Sequence, residues 1–250
     1  MSTLPYLAAP VAPNGAPNGA PNGAAGDTAG ATGEAGATGG AGATGGAGAA
    51  VLDRLTAARV VPIVRASTPA RAETAVRWLH GAGLRCFEIA HTVPHASSLI
   101  RVLASDPTLL VGAGAVPDAG AARACLEAGA RFVAVPWVDP ALAGPCRWSG
   151  AALLLGAMTP TEVRAALAAG ADAVRVFPAG SAGGPGHIRS LRGVFPDVAF
   201  CPAGGIEAGE VNAYLKAGAR FVGLGGALVS ERRIAAGDRA AILAVAERLL

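Results

Sequence analysis

The chain has 250 residues, of which 52% are hydrophobic and 15% charged, with a formal net charge of +3. This is enough apolar sequence for one large core. It contains no uninterrupted apolar run of about 18 residues and no secretion signal, so we expect no membrane partner and a cytoplasmic location. The basic residues are scattered rather than grouped in a stripe, so we expect no nucleic-acid partner either.

The cysteines and the lysine limit the chemistry that the chain can carry. Four cysteines occur singly, without CxxC spacing, and Cys86 and Cys201 fall inside predicted strands. This pattern favours buried thiols in a reducing compartment over disulfides or a metal site. Of the 20 basic residues 19 are arginine, so Lys216 is the single lysine side chain available for amine chemistry.

Residues 1–50 have a low-complexity composition. Ala-Pro-Asn-Gly occurs three times up to Gly23, and glycine then occupies every third position from Gly30 to Gly48. These triplets lack the proline that a collagen helix requires. The composition therefore predicts a disordered Gly/Ala/Pro/Asn-rich extension, followed by a folded domain over residues 51–250.

From residue 51 onward, apolar strands alternate regularly with helices. Several helices end on Ala-Gly, and a strand begins one or two residues later. The predicted strands are Val60–Arg65, Leu84–Ala90, Leu109–Ala113, Phe132–Pro136, Ala152–Leu155, Ala173–Phe177, Val198–Cys201 and Phe221–Gly225. The predicted helices are Val51–Ala58, Pro69–Ala82, Pro94–Ala104, Asp118–Ala128, Pro140–Cys146, Pro160–Ala168, Gly186–Val194, Ala208–Ala217 and Arg239–Leu250.

Eight strand–helix units of this kind predict an α/β fold, a (β/α)8 TIM barrel. The strands are nearly continuous apolar runs, as expected when helices cover a parallel sheet. An open doubly wound sheet is the alternative. The even spacing of the units and the absence of GxGxxG after the first strand disfavour it.

In such barrels the carboxyl ends of the strands carry function. Two glycine pairs, Gly204-Gly205 and Gly225-Gly226, follow the last two predicted strands. Loops at these positions commonly hold a phosphate through backbone N–H groups, and glycine allows close approach. The other interpretation is that these glycines serve turns that need a positive φ.

Two charged residues interrupt apolar strands. Glu88 lies within Cys86–Ala90, where a buried carboxylate is either a general base or one half of an ion pair. Arg175 is either the other half of that pair or a bidentate grip for a ligand carboxylate. His91 and His95 have no ligand-like spacing with acidic residues, so we expect them at the rim and predict no metal.

Six motifs occur in order and resemble those of the 2-keto-3-deoxy-6-phosphogluconate (KDPG) and 4-hydroxy-2-oxoglutarate (KHG) aldolase family. They are Val60-Val61-Pro62-Ile63-Val64, Phe87-Glu88-Ile89, Val111-Gly112-Ala113-Gly114, Val174-Arg175-Val176-Phe177-Pro178-Ala179, Phe200-Cys201-Pro202-Ala203-Gly204-Gly205-Ile206 and Gly225-Gly226. The resemblance covers residues 51–250. It implies a (β/α)8 barrel, assembled as a homotrimer, that cleaves 2-keto acids to pyruvate and an aldehyde without a metal or cofactor. In the family a lysine forms a Schiff base with the keto carbon, and a glutamate moves the protons.

The chain departs from this pattern at several positions. Glu88 matches the family glutamate, but Arg175 stands at the Schiff-base lysine and Thr92 at an arginine that contacts the substrate carboxylate. Alanine replaces a hydroxyl residue at three further positions, Ala115, Ala203 and Ala227. The resemblance and the strand ends together give the candidate residues for binding a substrate or phosphate, which are Arg65, Thr92, Pro136, Phe177, Gly204, Gly205, Gly225 and Gly226.

Imine formation needs an uncharged amine, which arginine does not supply. The predicted position of Lys216, near the end of the helix before the last strand, places it in the outer layer. We therefore expect a degenerate aldolase with absent or very weak activity that binds a small phosphorylated or keto-acid anion. Two alternatives remain: a working lyase or other phosphate-using enzyme with Glu88 as base, and a structural subunit whose Glu88–Arg175 pair plugs the barrel.

Overall fold

A computed structural model describes residues 47–250 of the chain. The sequence predicts a disordered extension over residues 1–50. Residues 1–46 of that extension lie outside the described residues. The first helix begins at Ala47, four residues earlier than predicted. Helix Ala47–Ala58 thus includes the last residues of the glycine-rich segment.

Seven parallel strands form one sheet, in the order β6-β5-β4-β3-β2-β1-β7. The described strands are β1 (Val60–Val64), β2 (Cys86–Ala90), β3 (Leu110–Gly114), β4 (Phe132–Ala134), β5 (Ala152–Ala157), β6 (Ala173–Val176) and β7 (Val222–Leu224). Each strand from β1 to β5 pairs with its successor in the chain, and β7 returns to pair with β1. The α/β class and the parallel TIM-like arrangement are as the strand–helix alternation predicts.

Helices connect the strands, and most keep the predicted bounds to within a few residues. They are α1 (Ala47–Ala58), α2 (Pro69–Gly81), α3 (Ala96–Ala104), α4 (Ala119–Glu127), α5 (Ala143–Ser149), α6 (Pro160–Ala168), α7 (Gly184–Val194), α8 (Val211–Lys216), α9 (Glu231–Ala235) and α10 (Arg239–Ala246). Short 3-10 turns, Pro140–Leu142 and Ala208–Glu210, precede α5 and α8. Helix α9 was not predicted. Each described helix is too short or too polar to cross a bilayer.

The seventh predicted strand, Val198–Cys201, is not a regular strand. Phe200 makes a single bridge to Val174 of β6, and Ala203 makes a single bridge to Gly223 of β7. Pro202 lies between these two bridges and has no N–H to donate, so it cannot contribute a hydrogen bond as a donor there. The segment over residues 198–203 nevertheless contributes hydrogen bonds to both edges of the sheet.

The side chains of the strands divide into two apolar clusters, one on each face of the sheet. The larger cluster packs the helices on the outer face. The smaller one includes the first residues of five strands, Cys86, Leu110, Phe132, Ala152 and Ala173, together with Val51 and Leu55 of α1. Because side chains alternate along a strand, this second cluster is the inner face of the curled sheet. Helix α1 packs against it at the amino ends of the strands.

The inner face should be intolerant of added volume at Gly112. A Cβ built there would overlap the ring of Phe132, which is fully buried. We expect Gly112→Ala to lower the free energy of unfolding by about 1–3 kcal/mol, because the ring has no space to move into. Urea denaturation measures this change.

Gly193→Ala is the matched control, since its Cβ would meet nothing within 4 Å in helix α7. We expect that substitution to be neutral or stabilising by about 0.5 kcal/mol. Equal effects of the two substitutions would contradict the described packing.

Candidate active site

Glu88 in β2 and Arg175 in β6 both point towards the inside of the curled sheet, from strands that are not neighbours in the sheet. Glu88 lies two residues after Cys86 in β2, and Arg175 lies two residues after Ala173 in β6, so both share the inner face with those residues. Glu88 is 2% exposed and Arg175 is 4% exposed. They are the two buried charged residues of the described chain.

The two side chains form a bidentate ion pair. Arg175 Nη1 donates to Glu88 Oε1 at 2.8 Å, and Nη2 donates to Oε2 at 2.7 Å. This fork-to-fork geometry is the strongest form of an arginine–carboxylate contact. Of the alternatives that the sequence leaves open, the structure shows the ion pair. In this arrangement both terminal nitrogens of Arg175 are engaged with Glu88, and the interpretation of Arg175 as a grip for a ligand carboxylate stays a prediction.

The surroundings of the pair keep the guanidinium charged. Burial by itself would lower the pKa of Arg175, but the facing Glu88 carboxylate outweighs burial and raises it above its ordinary value. Cys201 lies beside the pair. Burial raises the pKa of its thiol to about 11, although the guanidinium opposes this rise. Both Arg175 and Cys201 are therefore held in poorly nucleophilic forms at neutral pH.

Gly114, at the end of β3, provides the space that the Glu88 carboxylate occupies. A Cβ at Gly114 would overlap Glu88 Oε1. Gly112, the preceding residue of β3 that faces inward, is the register partner of Glu88 in β2. The Val-Gly-Ala-Gly motif thus leaves room in the interior where the ion pair lies.

An open cavity of about 740 Å³ lies at the carboxyl ends of the strands. Seven of the predicted binding residues line it, and they come from the segments after β1, β2, β6 and β7 and from the turn after Ala203. These residues are Arg65, Thr92, Phe177, Gly204, Gly205, Gly225 and Gly226. Parallel strands bring their carboxyl ends together, which accounts for this grouping. The binding role of these residues stays a prediction.

Three other candidates lie apart from the cavity lining. Glu88 and Arg175 are buried and do not line it. Pro136 does not line it either, because its carbonyl packs against Gly156 of β5. Lys216 is exposed on α8, in the outer layer as predicted.

The two glycine pairs differ in their backbone geometry. Gly204 and Gly205 have φ values of 85° and 68°, and a Cβ at Gly204 would contact the ring of Phe177 at 2.5 Å. The turn interpretation therefore applies to this pair. Gly225 and Gly226 have open space where a Cβ would stand. Phosphate binding by these loops stays a prediction.

A polar cluster at the edge of the cavity was not predicted. Glu231, at the start of α9, accepts hydrogen bonds from the Ser67 hydroxyl at 2.7 Å and the Ser67 amide at 3.3 Å. Arg71 of α2 donates to the same carboxylate at 2.9 Å. The signal in the sequence was Ser230 followed by an acidic residue, a pattern typical of a helix start.

The sequence raises the question of whether His91 and His95 belong to a metal site. Within residues 47–250, no group of three or more His, Cys, Asp or Glu side chains is placed to hold a metal ion. His91 is partly buried and His95 exposed. The arrangement thus offers a charged interior pair, an open cavity above the strands and a cation, Arg65, at its edge.

Breaking the ion pair from one side should be costly. We expect Glu88→Gln to lower the free energy of unfolding by about 3–5 kcal/mol, because it leaves a buried guanidinium without its counter-charge. Replacing both partners with apolar residues, as Glu88→Leu with Arg175→Met, should restore most of that loss. Urea unfolding of the single and double variants measures the coupling. Additive effects would show that the two side chains do not depend on each other.

Comparison with known proteins supports the family that the motifs suggest. The family described as "Aldolase: KDPG and KHG aldolase" matches residues 51–245. The chain is 30% identical, over 202 residues, to the 2-dehydro-3-deoxy-phosphogluconate aldolase of Treponema pallidum. That alignment covers 80% of this chain and 96% of the relative.

Solved structures agree with this assignment. KDPG aldolase from Legionella pneumophila, with pyruvate captured as a covalent carbinolamine, superposes with a TM-score of 0.73 and 28% identity, covering 80% of this chain and 97% of that one. The 2-keto-3-deoxy-6-phospho-gluconate aldolase of Zymomonas mobilis gives 0.70 and 30%, covering 80% and 95%. The chain therefore belongs to the KDPG and KHG aldolase family.

Proposed function

We propose that this chain is a family member that has lost Schiff-base chemistry and that binds a small keto-acid or phosphorylated anion without cleaving it. The buried bidentate contact between Arg175 and Glu88 is the observation that carries this proposal. By resemblance, these are the positions of the family lysine and glutamate. Two residues that the family uses on the substrate are instead engaged with each other.

The chemistry of the guanidinium supports the loss of cleavage. A Schiff base requires a nitrogen with a free lone pair, and a desolvated lysine provides one by losing its proton. Arginine stays charged in proteins, and the Glu88 carboxylate here raises its pKa further. Glu88 in turn cannot accept a proton from a substrate without giving up its contact with Arg175. The alternative of a lyase with Glu88 as base therefore has no support in the geometry.

The departures around the cavity support the same proposal. Thr92 lines the cavity where the resemblance places an arginine. Ala227 also lines it, and Ala203 is buried beside the glycine turn, where the family has hydroxyl residues. Each replacement removes a hydrogen-bond donor, so a substrate would be held less firmly in a reactive position.

The cavity favours a binding role over a purely structural one. Arg65 is exposed and lines the cavity, and within residues 47–250 it makes no hydrogen bond or ion pair. A free cation beside an open space is suited to a carboxylate or phosphate. The ion pair fills the interior, as the structural-subunit alternative also requires. The experiment must therefore distinguish a ligand-binding protein from a structural subunit that binds no ligand.

The assembly and the compartment belong to the proposal as well. The resemblance implies a homotrimer, and the eight-unit barrel is its expected protomer, with residues 198–203 taking the place of the seventh predicted strand. A reducing cytoplasm fits the four buried free thiols.

We expect no pyruvate release above background from 2-keto-3-deoxy-6-phosphogluconate or 4-hydroxy-2-oxoglutarate. Keto acids or phosphosugars should instead raise the melting temperature. A ligand at about 100-fold its Kd stabilises the fold by about 2.7 kcal/mol, which corresponds to about 5 °C or more in a domain of this size. Pyruvate release at family-like rates would refute the loss of cleavage.

Arg65→Ala should abolish the thermal shift, whereas Arg101→Ala, an exposed arginine in helix α3, should preserve it. The absence of any shift in the unaltered protein would favour the structural subunit.

Restoring the amine alone should restore little activity. We expect Arg175→Lys to remain within about tenfold of background, because Thr92, Ala115, Ala203 and Ala227 still leave the substrate poorly held. Adding Thr92→Arg to that variant should increase pyruvate release further. Substantial turnover by Arg175→Lys alone would contradict this explanation.

A further inference from the structure

We propose that two carboxylates at the cavity, Glu207 and Glu231, make it bind a singly charged 2-keto acid in preference to the phosphorylated form of the same acid. This inference rests on the proposed function, because it concerns the anion that the same cavity binds. Its physical basis is the set of charges that surround the cavity, and not the size of the cavity.

Three charged residues line the cavity among the described residues: Arg65, Glu207 and Glu231. The lining thus has one basic and two acidic side chains. The volume of about 740 Å³ can admit either a keto acid or its phosphate ester. Discrimination between such ligands must therefore come from charge and hydrogen bonding.

Glu231 already occupies the donors at one edge of the cavity. The amide and hydroxyl of Ser67 and the guanidinium of Arg71 all donate to its carboxylate. The hydrogen bond from the Ser67 hydroxyl is the main cause that holds the pKa of Glu231 below its ordinary value, so it is ionised at neutral pH. A second anion cannot use these donors unless Glu231 leaves them.

Glu207 follows the Gly204-Gly205 turn and has no ion-pair partner within residues 47–250. The ion pair with Arg71 neutralises part of the charge of Glu231. No ion pair within residues 47–250 does the same for Glu207. The repulsion felt by a phosphate should therefore arise more from Glu207. A ligand with one carboxylate can pair with Arg65, and its neutral hydroxyl groups meet the rest of the lining without a like-charge contact.

A matched pair of ligands tests this directly: 2-keto-3-deoxygluconate and its 6-phosphate, which differ by the phosphate alone. We expect calorimetry on the full chain to show about tenfold tighter binding of the unphosphorylated acid, a difference typical of one close like-charge contact. The preference should shrink as salt rises from about 0.01 M to about 1 M, since the screening length falls from about 30 Å to about 3 Å.

The carboxylates themselves are tested by neutral variants of the same shape. Glu207→Gln should reduce the preference more than Glu231→Gln, and the double variant should reduce it to about threefold or less. Ser67→Ala removes the hydrogen bond but keeps the charge of Glu231, so the preference should survive. Glu127→Gln, an exposed residue of α4 outside the cavity, is the control.

Equal or tighter binding of the 6-phosphate by the unaltered chain would overturn this inference while leaving anion binding intact. An unchanged preference in the double variant would overturn it as well. If the unaltered chain bound neither ligand, the proposed function would fail first, and this inference with it.

Discussion

The interior of this protein depends on the contact between Glu88 and Arg175. Two full charges at 2% and 4% exposure are tolerable because they neutralise each other through two hydrogen bonds, although Arg175 Nε has no hydrogen-bond partner within residues 47–250. Gly114 leaves the space that the carboxylate fills, and the apolar residues at the amino ends of the strands close the interior below the pair. By the proposed correspondence, Arg175 stands where the family has its Schiff-base lysine, so the same contact would determine what the site can do.

The buried ion pair is separate from the open cavity at the strand ends. Arg175 and Glu88 lie within the sheet, while Arg65, the glycine loops and the two carboxylates Glu207 and Glu231 surround an open space at the strand ends. In an active aldolase the nucleophile must reach the keto carbon of the bound substrate. Here neither partner of the ion pair lines the cavity. Binding can therefore persist without cleavage, as proposed.

Much of the fold was predictable because it follows from local sequence. Strands buried on both faces give apolar runs, and helices such as Pro160–Ala168 are bounded by a clear capping box at Thr159 and Glu162. The segment Val198–Cys201 resembles a strand in composition, but Phe200 makes only an isolated bridge to Val174, and Ala203, beyond the segment, makes one to Gly223. Helix α9 is only five residues long, and its Glu231 acquires importance through contacts with Ser67 and Arg71, which lie 160 or more positions away.

The candidate site likewise has features that follow from the sequence and features that depend on the three-dimensional arrangement. The sequence correctly predicted which loops share the cavity, because parallel strands bring their carboxyl ends together. It left the role of Arg175 open, because pairing across 87 positions depends on the curl of the sheet and not on local pattern. Pro136 was placed at the site for its position at a strand end, yet it packs against Gly156 instead.

The central claim is that a charged, paired guanidinium stands where an imine would have to form. Borohydride reduction in the presence of pyruvate, followed by intact-mass and peptide mass spectrometry, tests it most directly. We expect no covalent pyruvate adduct on this chain, and an adduct at the introduced lysine of Arg175→Lys. A pyruvate adduct on the unaltered chain, at Lys216 or elsewhere, would contradict the claim.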